Sequence, residues 1–254
     1  MRSFQLAARS ARYISGYLDL LTYAARHANV LRLQPIRDVF NRQVYFTGID
    51  ALKPVALLAL MSGALVATQV TALTGNNSDL VVNILAWVIV REFGPLIIAI
   101  IIIARSSAAI ASELALMRIN NEIQSIEIMG ISHYNYLLVP RILGVALSVA
   151  ALNIYFQAIA ISGGLLFSTI FQHISYWEHL NKFFDTISPL DFLISLIKGM
   201  LFGAAISTSA CFHGMSVTNS ITEIPRATTL AVTNGILIIF LLDAIFACAA
   251  FMLH

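Results

Sequence analysis

Charged side chains fall inside sequence that is otherwise apolar. Arg91 and Glu92 interrupt the run from Leu80 to Ala104, Lys198 the run from Leu190 to Phe212, and Asp243 the run from Leu230 to Leu253. Arg91 and Glu92 stand about 11 residues into their run, about 16 Å deep at about 1.5 Å per helical residue. A charge at that depth in a bilayer costs about 2.5–3.5 kcal/mol on insertion scales, so it must face protein or water and find a partner. Adjacent helical residues point about 100° apart, so Arg91 and Glu92 need not bond each other. Glu92 with Lys198 and Arg91 with Asp243 are the alternatives across helices. Two roles are open to such a group. It can lock helices together as ion pairs, or it can form the polar floor of a cavity that contacts a headgroup; both can hold.

Other chemistry is poorly supported. The lysines are Lys53, Lys182 and Lys198, and none precedes Ser or Thr, so no phosphate-binding GxxxxGK[ST] loop exists. There is no HExxH, no GxSxG elbow and no Cys/His ligand set. His27, His133, His173, His179, His213 and His254 are scattered and read as solvated or interfacial. Cys211 and Cys248 lie far apart in apolar segments and form no CxxC, so they read as small buried hydrophobes. The expectation is a chain that is no enzyme, binds no metal or cofactor of its own, and takes no nucleic acid.

The elements that must position these residues are helical and membrane-spanning. The chain is 59% hydrophobic and 11% charged, where a soluble domain carries about 25% charged residues. Its apolar runs approach the 20 or so residues a spanning helix needs. The spans expected are about Pro54–Leu73, Leu80–Ala104, Tyr136–Phe171, Leu190–Phe212 and Leu230–Leu253. Ser62-Gly63-Ala64 permits close helix contact, and Gly199 with Gly203 forms a small-xxx-small packing pair. The third span is long enough to need a tilt or kink, with Gly163-Gly164 as the expected break. Residues 172–189 read as a polar, aromatic interfacial loop.

Residues 4–32 read as an amphipathic helix at the headgroup layer, with Leu6, Tyr13, Tyr17, Leu20, Leu21 and Ala28 near one face. Pro35 is expected to stop it, with a polar connector running to Lys53-Pro54. Residues 1–49 thus form one unit and 50–254 another. The first 45 residues lack the core and cleavage site of a secretory signal. Arg2, Arg9, Arg12, Arg26, Arg32, Arg37 and Arg42, with Arg105, Arg118, Arg141 and Arg226, fall on one side of a five-span topology. The positive-inside rule makes that side cytoplasmic, so the N-terminus faces the cytoplasm and the C-terminus faces outward.

Residues 105–135 are too polar to span. Ser106, Ser107, Ala108, Ala109, Ala111 and Ser112 form a small face, and Ile110, Leu114 and Met117 an apolar stripe beside Glu113 and Arg118. Asn120 or Asn121 can cap a new short helix. Ile123, Ile126 and Met129 give it an apolar face, Glu122 and Glu127 lie off that face, and Gly130 suits its C-terminal stop. The fold expected is therefore all-α and integral to the membrane: an interfacial N-terminal helix, five transmembrane helices, and a short cytoplasmic helix between spans two and three. These features alone fit a permease driven by a separate motor, an ion-coupled secondary transporter using Arg91, Glu92 and Asp243, or a non-transporting scaffold.

One resemblance separates them. Arg91-Glu92-Phe93-Gly94-Pro95, Ala104-Arg105, Ala108-Ala109, Ser112-Glu113-Leu114, Met117, Glu122-Ile123, Glu127, Met129-Gly130 and Pro140-Arg141 follow without gaps a pattern close to RELGP-x(8)-GR-x(2)-(A/S)A-x(2)-AE(L/I)-x(2)-M. Arg226-Ala227-Thr228-Thr229 before Ala231-Val232, Lys198 with Phe202-Gly203, and Asp243 extend the likeness over about residues 50–254. The chain resembles the MlaE/YrbE permease family, the membrane subunit of MCE-type lipid ABC transporters. It departs in having Ala104 for Gly, Phe93 for Leu, and no glycine in 220–225. The resemblance implies a permease moving phospholipid between the inner membrane and periplasmic MCE proteins, in maintenance of outer-membrane lipid asymmetry. It implies a homodimer, a cytoplasmic ABC ATPase that binds the ATP and Mg, a periplasmic MCE-domain ring, and a small STAS-type accessory subunit. It assigns Arg91, Glu92, Lys198 and Asp243 to the lipid cavity. It assigns Glu113, Leu114, Met117, Arg118, Glu122, Ile123 and Glu127 to the ATPase-coupling turn, and a bacterial inner membrane as the location.

Overall fold

A computed structural model describes residues 16–74, 78–172, 176–186, 188–218 and 220–253. Every regular element among them is helical. A helix over 16–26 (α1) leads through a 3-10 turn, Ala28–Arg32, into α2 (Gln34–Thr47) and α3 (Leu52–Thr74). Next comes one continuous rod: α4 (Ser78–Trp87), a π-turn (Val88–Phe93), α5 (Gly94–Ile102), a second π-turn (Ile103–Ser107) and α6 (Ala108–Ile119). The short α7 (Glu122–Ile128) turns the chain back into α8 (Val139–Gln172), α9 (Tyr176–Thr186), α10 (Pro189–Met215) and α11 (Ile224–Leu253). Five helical stretches are long and apolar enough to cross a membrane: Gln34–Leu73, Asn83–Ile119, Tyr134–Thr169, Pro189–Met215 and Ile221–Ala250.

α8 is the central post. In its most apolar stretch 78% of residues are buried, against 17% in the last span, which is peripheral. Leu85, Ile89, Ile98, Val149, Phe156, Phe202 and Ile206 form the core around it, each at most 1% exposed. Small residues set the spacing. A Cβ on Gly63 of α3 would stand 2.0 Å from the Ala160 carbonyl oxygen of α8, and one on Gly203 of α10 would stand 2.8 Å from the Ala146 Cα. Neither position has room for any side chain. Gly199 is less constrained, since its Cβ would meet nothing closer than 3.5 Å.

Several expectations are revised. Residues 34–47 form a helix rather than a polar connector: Pro35 occupies the first turn of α2, where its fixed φ and missing N–H suit a helix start as well as they suit a stop. α8 runs unbroken through Gly163-Gly164. A Cβ on Gly164 would meet Leu85 Cδ1 at 2.7 Å and Gly63 O at 3.0 Å, so these glycines admit neighbouring helices rather than a bend. The second span does not end at Ala104; the rod continues to Ile119 and only residues 120–121 turn. Residues 176–186 fold as α9, with Phe183 buried and Trp177 exposed. In the N-terminal helix, Ala24 is buried and Leu20 and Tyr23 pack on the core; Leu6 and Tyr13 lie outside the described residues.

Hydrogen bonds between distant segments mark the two ends of the bundle. Tyr23 Oη donates to Asn135 Oδ1 at 2.9 Å, the Tyr17 hydroxyl lies 2.7 Å from His213 Nε2, and Arg105 Nη1 donates to the Asp50 carbonyl at 2.7 Å. The N-terminal helices, the α6–α7 turn and the end of α10 therefore share one end of the bundle. At the other, Thr186 Oγ1 on α9 donates to Asn83 Oδ1 on α4 at 2.7 Å.

Candidate functional site

The intramembrane charges form a ladder across three helices. Its deeper rung centres on Lys198 of α10, which is 2% exposed. Lys198 Nζ donates to Glu92 Oε2 at 2.9 Å and lies 2.6 Å from Asp243 Oδ1 of α11, the latter an ion-pair contact without hydrogen-bond alignment. The rung nearer the α9 end joins Arg91 to Asp191 in the first turn of α10. Arg91 Nε and Nη2 both donate to Asp191 Oδ1, at 3.0 and 2.7 Å. The guanidinium also lies over the Trp87 ring, 5.4 Å from its centroid. Glu92 with Lys198 is thus found as expected, whereas Arg91 takes Asp191 and Asp243 joins Lys198. One buried cation is shared between two carboxylates, so Asp243 gains an ion-pair partner that a Lys198–Glu92 pair alone would deny it, and the rung keeps one net negative formal charge.

Asp191 holds two tasks by dividing its oxygens. Ser188-Pro189-Leu190-Asp191 closes a capping box in which Asp191 Oδ2 accepts from the Ser188 N–H at 3.2 Å. Oδ1 is left for Arg91.

The backbone at this level is shaped by Pro95. It has no N–H to give to the Arg91 carbonyl four residues back, or to that of Val90 five back. The chain answers with the first π-turn, in which Gly94 N–H bonds Ile89 O. Side chains take the stranded acceptors: Lys198 Nζ donates to Arg91 O at 3.1 Å, and Gln157 Nε2 reaches Val90 O at 3.4 Å. Gln157 also donates to Ser195 Oγ at 2.6 Å, and Asn153 Nδ2 donates to Ser195 Oγ at 2.9 Å and Ser195 O at 3.1 Å. Asn153, Gln157 and Ser195 are each at most 2% exposed. This polar layer ties α8 to α10 and to the rod's backbone. It was not assigned a role from sequence, although Asn153 and Gln157 stand i, i+4 in an apolar span and a mid-span proline signals stranded carbonyls.

The ladder is not sealed inside one chain. The side chains of Glu92 and Arg91 retain 32% and 24% exposure. Exposed apolar residues flank them, Phe93 and Trp87 on the rod and Leu193 and Ile194 on α10. Such a surface presents paired charge within an apolar wall.

At the other end, the residues expected in the coupling turn divide between two helices. Glu113 and Arg118 are exposed on α6, and Glu122 and Glu127 on α7. Leu114 and Ile123 are 0% and 1% exposed and belong to the core, and Met117 packs against it. Arg141 Nη2 lies 2.9 Å from Glu113 Oε1 as an ion pair, and Glu127 pairs with His133 Nδ1. Asn121 precedes α7 at φ +59° with no side-chain cap, a left-handed conformation Asn tolerates. α7 ends in a Schellman motif: Ile131 N–H donates to Ile126 O and Gly130 N–H to Glu127 O, with Gly130 at φ +79°. Ile128 and Met129 then project from α7, 79% and 67% exposed.

Among the described residues no group of His, Cys, Asp and Glu could hold a metal ion, and Cys211 and Cys248 are free. What fold and site define is a polytopic membrane protein with an ion-paired polar layer in its spans and a short external helix joined to them. The family model described as permease MlaE matches residues 40–249, and the chain belongs to that family. It is 30% identical over 230 residues to a probable ABC transporter permease of Rickettsia prowazekii, covering 89% of this chain and 88% of that one. It is 26% identical to the intermembrane phospholipid transport system permease MlaE of Haemophilus influenzae, over 83% of this chain and 82% of that one. It is also 27% identical to the chloroplastic trigalactosyldiacylglycerol 1 protein of Arabidopsis thaliana, over 63% of this chain and 46% of that one.

Proposed function

We propose that this chain is the permease subunit of an ABC transporter that moves phospholipid between a bacterial inner membrane and periplasmic MCE-type proteins. The observation that carries the reading is the ladder: Arg91–Asp191 and Glu92–Lys198–Asp243 in a membrane permease of this family, with Glu92 and Arg91 left partly exposed on the single chain. A carboxylate facing hydrocarbon is costly. A second copy of the chain, closing a wet cavity over the ladder, relieves that cost and creates a chamber for headgroups. Energy comes from a cytoplasmic ATPase docked on α7, with Glu122 and Glu127 at its rim and Ile128 and Met129 as apolar contacts. The N-terminus, the α6–α7 turn and Arg226 face the cytoplasm, and the C-terminus faces the periplasm.

The test is transport of labelled phospholipid by the reconstituted complex. Glu92→Gln is expected to cut transport at least about tenfold, equivalent to about 1.4 kcal/mol, while the ATPase stays bound. Charge reversal of Glu122 and Glu127 is expected to release the ATPase. Transport driven by an ion gradient without ATP, or undiminished lipid flux in Glu92→Gln, would defeat the reading.

A further inference from the structure

The end of the bundle opposite the ladder holds a cavity that the proposed transport path does not use. It encloses about 500 Å³ between α2, the second π-turn, α6 and the start of α8. Arg42, Arg105 and Arg141 line it, together with Asp50 and Glu113. The carboxylates do not neutralise the arginines evenly. Glu113 is engaged by Arg141 Nη2 at 2.9 Å. Arg105 gives Nη1 to the backbone oxygen of Asp50 at 2.7 Å, and Arg42 lies over the Phe46 ring at 5.6 Å. Among the described residues no carboxylate lies within ion-pair distance of Arg42 or Arg105. Arg141 is 4% exposed, and its Nη1 has no hydrogen-bond partner among the described residues. Native interiors rarely leave such a donor unmatched, so it calls for an acceptor from outside the chain.

Guanidinium forks match the geometry of phosphate oxygens. Phe46 lines the cavity, and with its near neighbours in sequence Tyr45 and Ile49 it makes an apolar surface: Tyr45, Phe46 and Ile49 are 53%, 53% and 52% exposed. We propose that this cavity binds a phosphate group, carried by the headgroup of a membrane phospholipid whose chains lie along Tyr45, Phe46 and Ile49. Arg42 and Arg105 engage the phosphate together with the unmatched Nη1 of buried Arg141, whose Nη2 holds Glu113 aside. A lipid seated there bridges α2 to the rod, so it acts as an anchor for the N-terminal helices rather than as cargo.

The test places the full-length chain in nanodiscs with a phospholipid carrying a photoreactive headgroup, and maps the labelled peptides by mass spectrometry. Labelling is expected within 39–50 and 105–117. Arg42→Gln, at an exposed position, is expected to reduce it about tenfold, the loss of one charge-assisted contact. Labelling within 88–95 and 189–198, around the ladder, stays unchanged, so failure here is separable from failure of the transport reading. Arg42→Lys keeps the charge and is expected to restore part of the labelling. Arg105→Gln also loses the bond to Asp50, so it is read only where thermal melting matches the parent chain. A photoreactive diacylglycerol of the same chain length, lacking phosphate, is expected to label these segments weakly and without dependence on Arg42. Equal labelling by both probes, or labelling indifferent to Arg42→Gln, overturns the proposal. Binding of inorganic phosphate that Arg42→Gln abolishes, with no lipid labelling, upholds the phosphate site and overturns the lipid as its source.

Discussion

Replacing Lys198 with Met removes the one cation between Glu92 and Asp243. The side chain is 2% exposed and lies 2.9 and 2.6 Å from the two carboxylates, so Met keeps the volume while leaving two like charges facing across α4–α5 and α11. Deleting one partner of a buried ion pair costs about 3–5 kcal/mol. Glu92 keeps 32% side-chain exposure, so partial hydration offsets some of this and the lower bound, about 3 kcal/mol, is expected. Losing the bond to Arg91 O, at 3.1 Å, adds about 1 kcal/mol. A total near 4 kcal/mol corresponds to a fall of about 8–16 °C in melting midpoint for a chain of this size. The assay is retention of the monodisperse peak after heating, for the protein in nanodiscs. The triple variant Lys198→Met, Glu92→Gln, Asp243→Asn separates two roles: it removes every charge of the rung and is expected to regain most of the lost stability. If the ladder is also the headgroup site, the triple variant regains stability without regaining phospholipid transport. A Lys198→Met protein melting within about 1 kcal/mol of the parent would refute the ion-pair argument.

Asp191→Asn keeps an oxygen for the Ser188 cap but strips the charge from Arg91, and is expected to cost about 1.5–3 kcal/mol in the same melting assay. Gly63→Ala places a Cβ 2.0 Å from a backbone oxygen of α8 and is expected to cost about 3 kcal/mol by forcing α3 away, read as lost folded yield. At Gly130, with φ +79° and open space around it, Val is expected to cost about 1–2 kcal/mol and Asn far less, with hydrogen exchange of α7 as the readout.

What the sequence made legible follows from how costly it is to hide the alternative. An apolar run near 20 residues has few soluble uses, so the spans could be read, and a lysine in such a run must meet an acid, so Glu92–Lys198 could be read. The partner of Arg91 could not. Register between helices is set by packing, and Asp191 stands where a helix start would have it for capping alone. The same ambiguity hid α2, because Pro35 is equally good punctuation after one helix and before the next. Leu114 and Ile123 share the apolar stripe of a surface helix, yet are buried. Periodicity identifies an apolar face without saying whether it meets the chain's own core or a partner. The conformation of Gly130 was legible because a helix stop requires a left-handed residue there.

The two π-turns tie these features into one mechanical argument. The rod from Ser78 to Ile119 contains no loop, so displacement of its external end reaches the ladder unless it is absorbed where the backbone bonding is irregular. At the first π-turn, the bonding stranded by Pro95 is completed by side chains of other helices, Lys198 and Gln157. Lys198 therefore serves both the rod's backbone and the acidic pair. A phosphate group that drew Lys198 Nζ away would leave the Arg91 carbonyl unmatched and make the π-turn the softest point of the rod. Under the proposed function, headgroup occupancy and rod geometry are then linked through one ammonium group. Spin labels at Trp87 and Arg118, both exposed and on opposite sides of the two π-turns, would register the link as a change in distance distribution on adding phospholipid. Lys198→Met should abolish that change. An identical distribution with and without lipid in the parent chain would mean that the rod only holds its two ends in place.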